Sequence, residues 1–294
     1  MRFARHETFH IREGWLTKGL RKIQTEGKKD IFQRKDAMEE LGIGSNMVKS
    51  LRYWMQATGL TEEKKGKKGQ ELTEYGQVIY EYDRYFEEDF TLWLIHYFLC
   101  TNKEMATSWY WFFNIFNHKE FDEDIFLSEL ELWVSEEGQS VATSSLKKDF
   151  DCIINTYLYN KENNYLNPED NLGSPLQELG IIEKIDSKNK KYRFTRRNIK
   201  KIPKDLFLFA ILRFVRKKNL DNAVSIEALL TEPESIGRVF SLSWGELIQI
   251  LEILQADGFV YITKTAGLNN VSIRVNKEPI EVIIDYYKSR EEQR

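Results

Sequence analysis

At 294 residues, with 41% hydrophobic and 30% charged residues and a net charge of −3, the chain has ordinary globular composition and length for two or three small domains. Its most apolar stretch, Phe90 to Phe116, is cut by Thr101-Asn102-Lys103-Glu104, which excludes a membrane span of about 20 continuous apolar residues there. Two cysteines in apolar helical patterns, Cys100 and Cys152, predict buried thiols rather than a disulfide framework. With no apolar signal core in "MRFARHETFH", a cytoplasmic protein without a membrane partner is expected.

The charge is unevenly spread. Lys plus Arg against Asp plus Glu number 16 to 9 over residues 1–70, 3 to 16 over 71–140, 17 to 9 over 141–220 and 7 to 12 over 221–294. A basic segment attracts nucleic-acid phosphates, and an acidic neighbour confines such binding to one face; the plain alternative is a solvated surface.

In chain order, the first motif is His6-Glu7-Thr8-Phe9-His10, which satisfies H-E-x-x-H. A zinc hydrolase needs both histidines on one face of a sufficiently long helix, with a third ligand. Only five residues precede His6 and Gly14 lies close behind His10, so this hydrolase is the third-ranked reading. A structural role is expected instead: Phe3, Phe9, Trp15 and Leu16 pack against the first winged unit, while Arg5, His6 and Arg12 make local polar contacts.

The clearest pattern runs from Asp30 to Tyr82. A short helix over 34–41 stops at Gly42-Ile43-Gly44, where glycines supply left-handed backbone; Ser45 or Asn46 then caps a second helix reaching about Thr58. Val48, Leu51 and Met55 form its apolar stripe, widened by Met47 and Trp54. Its polar side presents Ser45, Asn46, Lys49, Arg52, Tyr53 and Gln56, side chains suited to a DNA groove. The hairpin "LTEEKKGKKGQEL" comes next, with Lys64, Lys65, Lys67 and Lys68 at its tip. Helix, turn, helix, hairpin is the order of a winged helix-turn-helix whose wing holds phosphates.

Two dense aromatic helices lie beyond it, Trp93 to Phe98 and Trp109 to Phe116, almost without cations, so they predict a core and not a base-stacking platform. A Ser-capped helix over 143–159, a loop over 160–175, and a hairpin in "EKIDSKNKKYRFTRR" tipped by Lys188, Asn189 and Lys190 repeat the pattern. A third instance comes after a helix over 206–217: "LQADGF" echoes "MQATGL", and Leu247, Ile250 and Leu254 match Val48, Leu51 and Met55. Its outward positions hold Glu246, Gln249, Glu252 and Gln255, which predicts a scaffold or protein-binding module. The expected fold is mainly α with small β-hairpins (α+β): tandem winged helix-turn-helix-like units around an aromatic helical core. The expected domains are 1–90, 91–200 and 201–294.

The stretches "FARHETFHIREGWLTKGL", "LGIGSNMVKSLRYWMQATGL", "WLIHYFL", "SWYWFFNIF", "LKKDFDCIINTY" and "SPLQELGII" together resemble a prokaryotic family of domains of unknown function, numbered four thousand and seven. "HETF" is typical of that family, whereas a histidine at the position of His10 is not, so the complete metal motif is incidental to it. The resemblance implies association with anti-phage defence and DNA phosphorothioation, and it supplies no catalytic residues. The expectation is a non-enzymatic, cofactor-free accessory subunit that binds duplex DNA, plain or phosphorothioated, through the first winged helix. The alternative is an adaptor for other defence proteins such as an ATPase or a sulfur-transfer enzyme, without direct DNA contact.

Overall fold

The computed structural model describes all residues except 160–172, 187, 189, 196–198, 266–267 and 293–294. Most of the expected 160–175 loop, and Asn189 of the second hairpin tip, lie outside the described residues. The chain is α+β, with many short helices and small antiparallel sheets.

Packing divides it into two units, Met1–Phe112 with Phe116–Arg197, and Phe113–Ile115 with Asn198–Arg294. The expected boundary at 90/91 lies inside the first unit, and the second begins its long segment at Asn198 and also includes Phe113–Ile115.

The first unit begins with α1 (Trp15–Gln24), whose Trp15, Leu16, Gly19, Leu20 and Ile23 recur on one helical face and are buried. After α2 (Ala37–Leu41) the chain turns at Gly42, the left-handed residue (φ 63°) that closes the helix. Gly44 is extended, so only one of the two glycines supplies left-handed backbone. It also takes the capping position of α3 (Ser45–Ala57) without a side-chain bond, placing Ser45 in the first turn and not at the cap. Strands β1 (Thr61–Glu62) and β2 (Glu71–Leu72) then pair antiparallel, Thr61 opposite Leu72 and Glu62 opposite Glu71. Thr73 caps α4 (Glu74–Asp83) through its side chain.

The aromatic core is built next along the chain. Every residue from Phe90 to Cys100 of α5 (Asp89–Cys100) is buried, and α6 (Thr107–Asn114) contributes Trp109, Trp111 and Phe112. Phe112 meets Phe121, Phe126 and Phe194 at centroid separations of 5.2, 5.4 and 4.9 Å, and Trp111 stands edge-on to Phe126 at 5.1 Å. These rings contribute through buried area, with the edge-to-face pairs adding specificity of orientation. They come from β3 (Glu120–Phe121), α7 (Glu123–Glu136) and the hairpin of β4 (Ile182–Asp186) and β5 (Lys191–Phe194), so residues distant in sequence close one core. Between α7 and the hairpin lies α8 (Thr143–Tyr157), preceded by Ala142 without a side-chain cap, in place of the expected serine cap. The hairpin is as expected, but β3 joins it to make the order β3-β5-β4.

In the second unit, α9 (Lys204–Lys217) is buried along most of its length. Strand β6 (Ala223–Ser225) leads through α10 (Ile226–Thr231) and α11 (Ile236–Val239) to α12 (Trp244–Ala256). Ser243 and Glu246 close a reciprocal capping box on α12. The hairpin of β7 (Val260–Thr265) and β8 (Leu268–Ile273) comes after it and takes β6 on its other side, before α13 (Pro279–Glu291).

Candidate nucleic-acid interface

The stripe of α3 turns inward as its spacing dictates: Val48, Leu51, Trp54 and Met55 are buried. Trp54 donates its indole N–H to the Phe9 carbonyl (3.0 Å), and Asn102 donates to the Ala57 carbonyl (3.1 Å), fixing the helix on two sides. One expected site residue is corrected by the structure. Tyr53, expected on the outward face, is 7% exposed, with its hydroxyl donating to the Met105 carbonyl at 2.9 Å. Burial raises its pKa well above the ordinary phenol value.

Ser45, Asn46 and Lys49 are exposed, and Arg52 and Gln56 are half-buried. Lys49 Nζ donates to Asn46 Oδ1 at 3.2 Å. Arg52 is engaged more firmly: Nε and Nη2 donate to the two oxygens of Glu63 at 2.7 and 3.0 Å, a fork-to-fork pair. Gln56 and Gln70 each donate to Glu63 Oε1 at 3.3 Å. The Arg52 guanidinium, with help from Gln70, holds the Glu63 carboxyl below the usual carboxylate range.

The hairpin is anchored to α3 by Gln70, which is buried, donates to the Arg52 carbonyl at 3.0 Å and accepts from the Thr61 hydroxyl at 2.8 Å. Beside it, Gly69 adopts φ 85° where an added Cβ would lie 2.2 Å from the Lys29 carbonyl oxygen, so no other residue fits without displacing backbone. The tip residues Lys64, Lys65, Lys67 and Lys68 are exposed. Lys64 pairs with Glu71 (3.0 Å) and Glu62 (3.4 Å), Lys67 lies 3.7 Å from Glu71, and Lys29 also reaches Glu71 at 3.0 Å. Lys29 and Lys64 hold Glu71 down at about 2. Among the described residues Lys65 and Lys68 form no ion pair. The hairpin is therefore not uniformly basic, and Glu62, Glu63 and Glu71, flanking its lysines, are the signal of this that the sequence offers. Nearer the N-terminus, Lys22 and Lys28 are likewise shared between Glu26 and Glu40.

The opening histidine motif has another geometry. Residues 4–8 form turns, with positive φ at Ala4, Glu7 and Thr8, so no helix aligns His6 with His10. Glu7 is exposed and His10 half-buried. His6 is fully buried, and its contact is not local: Nε2 bonds Asp149 Oδ1 of α8 at 2.7 Å, across 143 residues of sequence. The same carboxylate accepts from the Ala4 backbone N–H (2.8 Å) and the Ser108 hydroxyl (2.6 Å). Trp54 stacks on the imidazole at 6.0 Å and Trp109 stands edge-on at 6.0 Å. Burial opposes the imidazolium, but Cys152 and Asp149 outweigh it and push His6 up to about 10. Burial also raises the Cys152 thiol, so at neutral pH that sulfur is uncharged and the Asp149 carboxylate carries the direction. His6 Nδ1 has no hydrogen-bond partner among the described residues. Among the described residues no three His, Cys, Asp or Glu side chains converge as metal ligands.

The matching positions of the second unit, Leu247, Ile250 and Leu254 of α12, are buried as those of α3 are. Outward, α12 shows Trp244, Gln249, Glu252, Ile253 and Gln255, with no Lys or Arg within the helix. Among the described residues no helix is long and apolar enough to cross a membrane.

Two solved structures resemble the chain over nearly its whole length. A magnesium ion-bound crystal structure of SspB has a TM-score of 0.86, and a second SspB crystal structure has 0.81; each is 26% identical, covering 97% of this chain and 88% of the other. No curated protein matches. The family model described as "Protein of unknown function (DUF4007)" matches residues 3–287, and the chain belongs to that family.

Proposed function

We propose that the protein is a DNA-binding accessory subunit of a phosphorothioation-linked defence system, of modification or restriction type, with α2, α3 and the β1–β2 hairpin acting as a winged helix-turn-helix. The observation that carries this reading is the outward side of α3 beside the lysine-tipped hairpin. It presents Ser45, Asn46, Lys49, Arg52 and Gln56 to solvent, with Lys64, Lys65, Lys67 and Lys68 on the adjoining tip. Cations there meet phosphates and amides meet base edges; about half or more of such contacts position a protein without reading sequence. The tandem repetition of this unit in β4–β5 and in α12–β7–β8 belongs to the same proposal. Similarity to SspB over both chains supports the place in a phosphorothioation system. The role assigned is binding; the H-E-x-x-H segment lacks the helix a zinc hydrolase needs.

The test is retention on duplex DNA, with and without phosphorothioate, across salt concentrations. Binding that weakens steeply with salt, and weakens further in K65A/K68A, is the expected result. Salt-insensitive co-purification with an ATPase or a sulfur-transfer enzyme, without DNA retention, would favour the adaptor reading instead. That second reading is supported by the exposed Trp244, Ile253 and Tyr261 of the second unit.

A further inference from the structure

We propose that Glu63 occupies, in the free protein, the place a DNA phosphate takes on Arg52, so that the wing carries its own competitor for the DNA. The inference rests on the DNA-binding reading above and specifies which cation on α3 is held back and by what. Three observations carry it.

The first is geometry. A guanidinium presents two parallel N–H groups that fit the paired oxygens of a carboxylate or a phosphate equally well, and both oxygens of Glu63 are taken by Arg52 at 2.7 and 3.0 Å. The second is convergence. Gln56 from the same helix and Gln70 from the returning strand also donate to Glu63, so four donor N–H groups from three side chains surround one anion. Gln56 and Arg52 are among the side chains the DNA reading assigns to the groove. The third is exposure. Glu63 is exposed and Arg52 half-buried, so the pair lies at the surface, where a phosphate can reach it. Gln70, buried and bonded to the Arg52 carbonyl, keeps the donor set in place when the Glu63 side chain leaves. Lys49, Lys65 and Lys68 face no such carboxylate among the described residues. They make the first, unopposed contacts, and Arg52 joins only when a phosphate displaces Glu63.

The experiment is a double-mutant cycle on the full chain: wild type, E63Q, R52A and R52A/E63Q, with E63A as a second Glu63 variant and K65A/K68A as a control on the underlying reading. Duplex affinity is measured at several salt concentrations after each variant is shown to melt like wild type. E63Q and E63A are expected to bind several-fold tighter, with the log–log salt slope steeper by up to about 0.9, the equivalent of one more phosphate neutralised. In R52A the Glu63 substitution is expected to bring no such gain. If K65A/K68A weakens binding while both Glu63 variants match or fall below wild type, the competitor role is overturned and the DNA reading stands. A gain that persists in R52A overturns it too, because the effect is then general charge rather than release of Arg52. Absence of duplex binding in every variant removes both.

Discussion

The helix α3 in the first unit and the helix α12 in the second are each 13 residues long and each followed by a hairpin, of two-residue strands after α3 and six-residue strands after α12, yet their exposed residues differ in kind. Val48, Leu51 and Met55 on one, and Leu247, Ile250 and Leu254 on the other, are all buried. Among their solvent-facing residues α3 has Lys49 and the half-buried Arg52, whereas α12 has Trp244, Glu252 and Ile253. The inward residues are constrained by packing and set how the helix is held; the outward ones are free of that constraint and set what the helix meets.

The largest expected effect concerns a feature that only the first unit has, the buried His6–Asp149 pair against Trp54. His6→Ala strands the Asp149 carboxylate, and a loss of about 3–5 kcal/mol is expected in denaturant melts. The pH dependence has a definite sign: the Asp149 carboxylate holds the folded-state pKa of His6 above its ordinary value of 6.5. The contribution is therefore fully present below about pH 6.5 and is lost as pH rises through the raised folded-state value, so wild type and His6→Gln should converge in stability towards alkaline pH. A gap that widens with pH would contradict this.

The shared stripe ranks second. Leu51→Ala and Leu254→Ala, both at fully buried positions, should each cost about 2–5 kcal/mol, and a large effect in one with almost none in the other would break the equivalence. The caps should then separate the helices. Ser243 closes a capping box whereas Ser45 makes no capping bond, so Ser243→Ala should cost about 1 kcal/mol and Ser45→Ala about 0.5 kcal/mol or less.

Much of the fold is legible in the sequence because it rests on local pattern. The stripe on α3, the Gly42 turn, the three hairpins and the buried aromatic pair arise from spacing and turn chemistry. The features that are not legible depend on residues far apart. Tyr53 turns inward because Met105, fifty-two positions on, offers its carbonyl, and no periodicity encodes that. Strands β3 and β6, of two and three residues, are too short to show alternation, and exist because a hairpin edge is available to each. The partner of His6 lies on α8, so a motif that resembles metal chemistry is a buried ion pair instead. Glu63 and Glu71 are visible as letters, but their grip on Arg52 and the hairpin lysines is a property of the folded hairpin against α3.

The contrast between the two outer faces is tested most directly by duplex affinity against salt for two sets of variants, K49A/K65A/K68A in the first unit and Q249A/E252A in the second. The first set should lose affinity and flatten the log–log slope by about 0.9 for each phosphate contact removed, while the second leaves both unchanged. Equal slopes and affinities for the first set and wild type would contradict the assignment of DNA to the outward side of α3 and its wing.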